Sequence, residues 1–162
     1  MAHKKKTVYL AGPITGLTHD EARYGWRKEF ADMLSNMGLE HIECSSPMRG
    51  KEFLKDMGAL TSGEDYPDNA MSSANGILTR DFNDVITSDA MIACFLESNN
   101  VPSLGTAYEF GFAWSHRKPI ITIGPEDDVN IKHVMAQYMH GYRVDTLQEG
   151  AMLLAYLLTP GM

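Results

Sequence analysis

Hydrophobic and polar positions along the chain predict strands and helices in regular alternation. The apolar run Thr7–Ala11 is stopped by Gly12-Pro13, which is typical of a buried strand that ends in a turn. Thr18 and Glu21 then form a capping-box pattern, and apolar residues recur at helical spacing as far as Gly38. We therefore expect a first strand followed by one amphipathic helix.

The rest of the chain repeats the same alternation, which predicts a parallel sheet with helices on both faces. We expect a single α/β domain over residues 1–162, with a flavodoxin-like, doubly wound sheet of five parallel strands. The remaining predicted strands are Leu39–Cys44, Ala90–Leu96, Pro119–Ile123 and Tyr142–Val144, and the remaining predicted helices are Ile77–Ile86, Ser103–His116, Val129–Met139 and Thr146–Leu158. In such a fold, ligands bind beyond the carboxyl ends of the strands.

One polar segment, residues 45–75, interrupts this pattern. It is rich in Gly, Ser, Pro, Asp and Met and has room for one short helix near residues 51–57. A connection of this length is unusual in a compact domain, and such loops are more often functional than idle. We expect it to contribute to a ligand site.

Composition narrows the class of protein. The 162 residues, 44% of them hydrophobic and 22% charged, are typical of one soluble globular domain, and we expect a cytoplasmic location because no secretory or membrane-spanning pattern occurs. The net charge of −7 argues against a nucleic-acid polymer as partner. Cys44 and Cys94 lie in apolar runs and are predicted to be buried thiols. The six histidines show no metal-ligand spacing, so we expect no metal.

Two carboxylates are the first candidates for chemistry. Asp81 falls within the apolar stripe of its predicted helix, where it is either a hydrogen-bonded structural residue or a perturbed functional one. Glu109 is the only charged residue in the fifteen positions from Val101 to Ser115. A single Glu on a helix is ordinarily solvated, but this helix begins where a doubly wound fold binds ligands.

Three other residues lie at the same predicted rim. Tyr9 on the first strand either packs in the core or orients a carboxylate through its hydroxyl group. Gly12 would let a ligand approach the backbone, and Ser103 at a helix start either caps the helix or holds an anion.

Three segments carrying these residues resemble the nucleoside 2-deoxyribosyltransferase superfamily, which includes deoxynucleoside 5′-monophosphate N-glycosidases. They are YLAGP at Tyr9–Pro13, RDFNDVITSDAMIA at Arg80–Ala93 and PSLGTAYEFGFA at Pro102–Ala113. The resemblance covers most of the chain apart from Ser45–Asn75.

The resemblance implies roles for the three candidates. Glu109 falls on the family's nucleophile, Tyr9 on the tyrosine that orients it, and Asp81 on the carboxylate that faces the base. The implied reaction is a retaining double displacement on a small nucleoside or nucleotide, with a nucleobase as leaving group or acceptor and without a cofactor or metal.

Two parts of the segment that leads to Glu109 resemble enzymes with different activities. Pro102-Ser103-Leu104 resembles the nucleotide N-glycosidases, in which the serine binds the 5′-phosphate, whereas the GTAYE continuation resembles the transferases. We take deoxyribosyl transfer as the first hypothesis and monophosphate hydrolysis as its alternative. A non-catalytic nucleotide-binding domain on the same fold is a third hypothesis.

The resemblance also implies further substrate contacts and a homo-oligomer with shared active sites. A neighbouring subunit would complete each site with its residues 130–137, in which His133 and Met135 are the candidates. The remaining expected substrate-binding residues are Gly12, Pro13 and Gly105. The long loop, which the resemblance does not cover, is expected to contact the base, with Met48 and Arg49 as its candidates.

Overall fold

The computed structural model describes residues 4–161, so residues 1–3 and 162 of the expected domain lie outside the described residues. Strands and helices alternate along the chain, as predicted. In order, the elements are β1 (Lys6–Ala11), α1 (His19–Tyr24), α2 (Trp26–Asn36), β2 (Ile42–Ser45), a 3₁₀ helix (Glu52–Met57), α3 (Ala74–Thr87), β3 (Ala90–Cys94), α4 (Leu104–Ser115), β4 (Ile120–Ile123), α5 (Val134–Met139), β5 (Tyr142–Val144) and α6 (Leu147–Leu158).

The five strands form one parallel sheet in the order β2-β1-β3-β4-β5. This confirms the predicted flavodoxin-like architecture. The chain starts at β1, turns outward to β2 and returns to β3 on the other side of β1. The strand order therefore reverses between β1 and β3, and their carboxyl ends frame the crevice where this fold binds ligands.

Alternating strand residues divide the core into two layers. On one face, α2 and α6 pack against residues such as Val8, Leu10 and Ile92. On the other face, α3 and α4 cover Tyr9, Met91 and other residues from the intervening strand positions. Because side chains on a strand alternate between faces, Tyr9 points toward the layer that contains α4.

A third, smaller hydrophobic cluster organises the segment 45–75. Its buried members are Ala22, Met48, Leu54 and Leu60, each at most 2% exposed. Leu60 also forms two backbone hydrogen bonds to the loop after β1, donating to Leu17 O at 2.7 Å and accepting from Gly16 N at 2.8 Å. The long segment is therefore packed against the domain, and its short helix is the 3₁₀ helix.

The predicted single helix after β1 is wrong in one respect, because the chain breaks at Gly25 into α1 and α2. Gly25 has a ψ of −126°, outside the helical range. The break leaves Ala22 O without a helical partner at this point, and the buried guanidinium of Arg27 donates to it at 2.7 Å. The sequence pattern is nearly continuous across the break, so periodicity alone does not reveal it.

Two other helices differ from their predictions. The helix expected at 129–139 begins only at Val134, because Val129 N and Asn130 N donate instead to side chains of Asn100 and Asp128. In α3, the stripe predicted to be buried is partly wrong, since Leu78 is 56% exposed. Asp84 is buried on this helix instead, paired with Arg49.

Within residues 4–161, no helix is long and apolar enough to cross a membrane. In the same range, no group of three or more His, Cys, Asp or Glu side chains is arranged to hold a metal ion. Cys94 is buried and Cys44 is partly buried, both are free thiols, and burial raises the pKa of each to about 12.

Candidate active site

A buried hydrogen bond joins Tyr9 at the carboxyl half of β1 to Glu109 in the middle of α4. The Tyr9 hydroxyl donates to Glu109 Oε1 at 2.6 Å, across 100 residues of sequence. Glu109 is 8% exposed and Tyr9 is fully buried. The solvated alternative for Glu109 is therefore wrong, and both side chains belong to the crevice between β1 and β3.

Burial also changes the proton affinity of this pair. Burial and the nearby charge of Asp81 raise the pKa of Glu109 to about 8, although Tyr9, Arg27 and Lys51 act in the opposite direction. Burial and the charge of Glu109 raise the pKa of Tyr9 well above its ordinary value. Tyr9 therefore stays protonated near neutral pH and acts as a hydrogen-bond donor that fixes one carboxyl oxygen.

Asp81 on α3 faces the same site. Its Oδ1 atom is buried and has no hydrogen-bond partner among the described residues, and the closest cation is Arg80 Nε at 3.8 Å. Burial raises the pKa of Asp81, whereas Lys51 and Arg80 lower it. A buried carboxyl oxygen without a partner is uncommon in folded proteins and is often part of a binding site.

The backbone around Gly12 brings the ends of β1 and β3 close together. A Cβ atom at Gly12 would lie 2.6 Å from Cys94 O, so only glycine fits there. The buried guanidinium of Arg27 donates to Gly12 O and to Leu10 O, each at 3.1 Å. Gly12 thus allows the backbones of β1 and β3 to approach each other closely. Pro13 follows it and is half-buried at the rim of the crevice.

Ser103 lies at the start of α4, on the same side of the sheet. Its hydroxyl group does not cap the backbone of the helix and is 2.9 Å from the Thr106 hydroxyl. Its backbone N–H donates to the Asn130 side chain at 2.7 Å. A Cβ at Gly105 would meet nothing within 4 Å, so open space adjoins this helix end. The capping alternative for the Ser103 side chain is wrong.

The side chains of Arg49 and Met48, the two candidates from the long loop, contact other residues of the same chain. Arg49 makes two hydrogen bonds to the carboxylate of Asp84 on α3, one of them at 2.9 Å. Met48 is fully buried in the third hydrophobic cluster. Met48 thus offers no polar side-chain group to a ligand, whereas the Arg49 side chain is still 48% exposed and stays a predicted substrate contact.

His133 and Met135 lie on the outside of this chain. His133 accepts a hydrogen bond from Met135 N at 3.3 Å and forms the N-cap of α5. Both residues are exposed, and Met135 is 58% exposed. They are placed where another subunit could meet them.

Three residues of the site were not singled out from the sequence. Arg27 lies within the predicted helix but outside its apolar stripe, where an arginine is ordinarily solvated, yet it is only 2% exposed. Lys51 belongs to a polar loop, where a lysine is ordinarily solvated, yet it is only 2% exposed. Asn130 was expected to serve a neighbouring subunit, whereas its side chain holds Ser103 N and Val101 O of its own chain.

The model of the nucleoside 2-deoxyribosyltransferase family matches residues 8–151. The chain therefore belongs to this family, which confirms the resemblance seen in the three sequence segments. A comparison with curated proteins finds no match.

Solved structures share the fold at low sequence identity. A conserved protein from Enterococcus faecalis V583 is 15% identical with a TM-score of 0.61, and the match covers 91% of this chain and 96% of the other. A 2-deoxyribosyltransferase from Bacillus psychrosaccharolyticus is 15% identical with a TM-score of 0.59, covering 90% of each chain. The CMP N-glycosidase BcmB from Clostridium botulinum is 20% identical with a TM-score of 0.52, covering 92% and 97%.

The raised pKa of Glu109 leads to a prediction about how the free energy of unfolding depends on pH. Its pKa of about 8 in the folded protein lies above the ordinary glutamate pKa of 4.5, so the folded protein binds this proton more tightly than the unfolded chain. The contribution of Glu109 to stability therefore falls as the pH rises from about 4.5 to about 8. Glu109→Gln, which keeps an acceptor for Tyr9, should raise the free energy of unfolding by roughly 2–4 kcal/mol at pH 9.

Urea unfolding at pH 5 and at pH 9 measures this effect. The gain of Glu109→Gln over the original protein should be clearly larger at pH 9. Glu126→Gln, at an exposed position, is the matched control and should change neither value. An equal effect of Glu109→Gln at both pH values would contradict the buried, proton-binding state of Glu109.

Proposed function

We propose that this protein cleaves the N-glycosidic bond of a 2′-deoxynucleoside and transfers the deoxyribosyl group to another nucleobase. The observation that carries the proposal is the buried Glu109 carboxyl group, held by the Tyr9 hydroxyl at 2.6 Å with Asp81 nearby. The chain's family and the 2-deoxyribosyltransferase among its structural neighbours support it.

The proposed reaction proceeds in two displacements at C1′ of the sugar. A carboxylate oxygen of Glu109 attacks C1′, the bond to the base nitrogen breaks, and the base leaves with the electron pair and a proton from Asp81. The product is a deoxyribosyl ester of Glu109. A nitrogen of a second base then attacks C1′ from the opposite side, Asp81 takes up a proton, and Glu109 is released as a carboxylate.

Hydrolysis of a deoxynucleoside 5′-monophosphate is the alternative, favoured by the start of α4. There the Ser103 and Thr106 hydroxyls lie together beside open space at Gly105. The start of a twelve-residue helix also attracts anions through its free N–H groups and dipole. In this version a 5′-phosphate binds at Ser103, and water replaces the second base. The CMP N-glycosidase among the structural neighbours supports this alternative.

We further propose that the enzyme is a homo-oligomer in which a neighbour completes each active site. Large apolar side chains are exposed on α4 and α5, an arrangement more typical of an interface than of a monomer surface. They include Leu104 at 74%, Tyr108 at 67% and Tyr138 at 84% exposure. His133 lies on the same exposed segment as Tyr138 and is the candidate for completing the neighbour's site.

Product analysis tests the reaction. Deoxynucleosides and their monophosphates are incubated with the protein, with and without a second base, and the products are separated by chromatography. We expect free base, and a new nucleoside when the second base is present. Glu109→Ala should lower turnover at least a thousandfold, because it removes the nucleophile, whereas Glu126→Ala should retain activity. A folded protein that releases no base from any substrate would support a binding domain instead.

The phosphate alternative predicts a selective effect of Ser103→Ala. The variant should lower kcat/KM for a deoxynucleoside monophosphate, with a loss of about 1–3 kcal/mol of transition-state stabilisation. It should leave kcat/KM for the nucleoside unchanged. Ser115→Ala, at the other end of α4, is the matched control. Equal losses for the two substrates would show that Ser103 does not bind the phosphate.

Shared active sites predict that inactive variants complement each other. Glu109→Ala and His133→Ala should each lose activity, and mixed oligomers should regain part of it, because some sites then receive an intact residue from each subunit. Light scattering should show an oligomer that Tyr138→Glu weakens, whereas Tyr156→Glu on α6, 59% exposed, should leave it intact. A fully active monomer would refute this proposal.

A further inference from the structure

Arg80 lies directly before Asp81 on α3 and connects that helix to the long loop. Its side chain is only 13% exposed. One of its Nη groups donates to Arg49 O at 2.7 Å, and the other donates to Pro47 O. A guanidinium group is planar and rigid, so these two bonds also fix the position of Nε. The Nε atom lies 3.8 Å from Oδ1 of Asp81.

The other carboxylate close to Nε, that of Asp84, already has a partner. Its Oδ2 atom lies 4.0 Å from Arg80 Nε. Both of its oxygen atoms, however, accept hydrogen bonds from Arg49, one of them at 2.9 Å. Among residues 4–161, Oδ1 of Asp81 accepts no hydrogen bond and forms no ion pair other than the one with Arg80. Arg80 Nε therefore faces an oxygen atom that has no other partner in this part of the chain.

The two oxygen atoms of Asp81 have different surroundings. Oδ1 is buried beside the guanidinium group, whereas the side chain as a whole is 16% exposed, so its open part does not include Oδ1. A cation beside one oxygen of a carboxylic acid favours the proton on the other oxygen, because the unprotonated oxygen carries more negative charge. The contact with Arg80 therefore favours a proton on Oδ2 of Asp81.

The proposed reaction leaves a negative charge on Asp81. When its proton passes to the nitrogen of the departing base, the electron pair of the C1′–N bond leaves with the base, and Asp81 becomes a carboxylate. A largely buried carboxylate without a partner is costly. Burial raises the pKa of Asp81, whereas Lys51 and Arg80 lower it. Of these two cations, Arg80 is the one that forms an ion pair with Asp81 among the described residues.

Resting on the proposed function, we propose that Arg80 is a positioning residue of the proton donor. Its bonds to Pro47 O and Arg49 O hold Nε beside Oδ1 of Asp81. The proton that goes to the base therefore resides on Oδ2, and the charge left behind is stabilised at Oδ1. The second displacement returns a proton to the same oxygen. The two carbonyl bonds also attach the long loop, which is expected to contact the base, to the helix that carries the proton donor.

Other charged groups act on the proton donor as well. Asp84 lies on the same helix, Lys51 and Arg49 lie on the long loop, and Glu109 lies on α4. These groups are the same in every variant of position 80. A comparison of such variants therefore measures the effect of Arg80.

Carboxyl titration tests this role without relying on activity. The protein is labelled with ¹³C at the aspartate side-chain carboxyl carbons, and the Asp81 signal, assigned by its loss in Asp81→Asn, is followed against pH by NMR. Arg80→Gln should raise the midpoint of the Asp81 titration by about one pH unit, because the carboxylate loses its neighbouring cation. Arg80→Lys keeps the charge and should restore most of the difference. Lys55→Gln, at an exposed position of the 3₁₀ helix, is the matched control and should have no effect.

Substrates with different leaving bases provide the second measurement. Without the cation Asp81 is a weaker acid, so the loss of kcat in Arg80→Gln should grow with the basicity of the leaving nitrogen. The alkaline limb of kcat/KM against pH should move to higher pH by the same amount as the NMR midpoint, because a raised pKa keeps the donor protonated longer. A residue that only anchored the loop would raise KM alike for all bases and leave the midpoint unchanged.

The outcomes separate this role from the proposed reaction. Arg80→Met provides a second neutral variant should the glutamine variant fold poorly. An unchanged midpoint in a folded neutral variant would overturn the role of Arg80, as would an equal loss of kcat for every base. A shifted midpoint in a protein that releases no base would instead overturn the proposed reaction, while the effect of Arg80 on Asp81 stands.

Discussion

The hydrogen bond between Tyr9 and Glu109 is the interaction on which the geometry of the site depends. It joins the first strand to the helix after the third strand, and these two elements border the point where the strand order reverses. Because both side chains are buried, the bond forms only when β1, β3 and α4 are all in place. The site is therefore a product of the whole sheet and not of a local motif, which is why residues 100 positions apart act together.

The buried carboxyl groups of Glu109 and Asp81 are tolerated in this crevice because nearby cations offset their negative charge without blocking the site. The guanidinium of Arg27 is directed to the carbonyl groups of Leu10, Gly12 and Ala22, so it stabilises the end of β1 and the break between α1 and α2 while its charge acts on Glu109 from behind. Among residues 4–161, no ion pair joins Arg27 or Lys51 to Glu109. A direct pair would fix the charge of Glu109 and occupy the oxygen atoms that the proposed reaction requires.

The sequence was sufficient to predict the strands and their parallel arrangement, because these depend on periodicity, and it singled out Glu109 as one unusual charge in an apolar helix. It was insufficient where side chains replace backbone partners. The break at Gly25 depends on Arg27 bonding to Ala22 O, and the late start of α5 depends on the side chains of Asn100 and Asp128. The low exposure of Lys51 also escaped notice, because a lysine in a polar loop is ordinarily solvated.

The long loop has two parts with different attachments. Residues 47–49 are bonded to α3, and Leu60 is bonded to the loop after β1. Between Leu60 and α3, residues 61–73 rely mainly on bonds among themselves, as when Tyr66 donates to Thr61 O at 3.1 Å. Tyr66 also packs against the third hydrophobic cluster, so a change of length or composition in 61–73 that keeps this contact leaves both anchors where they are. Natural drift or laboratory evolution can rewrite the rest of this segment while both attachments to the domain persist.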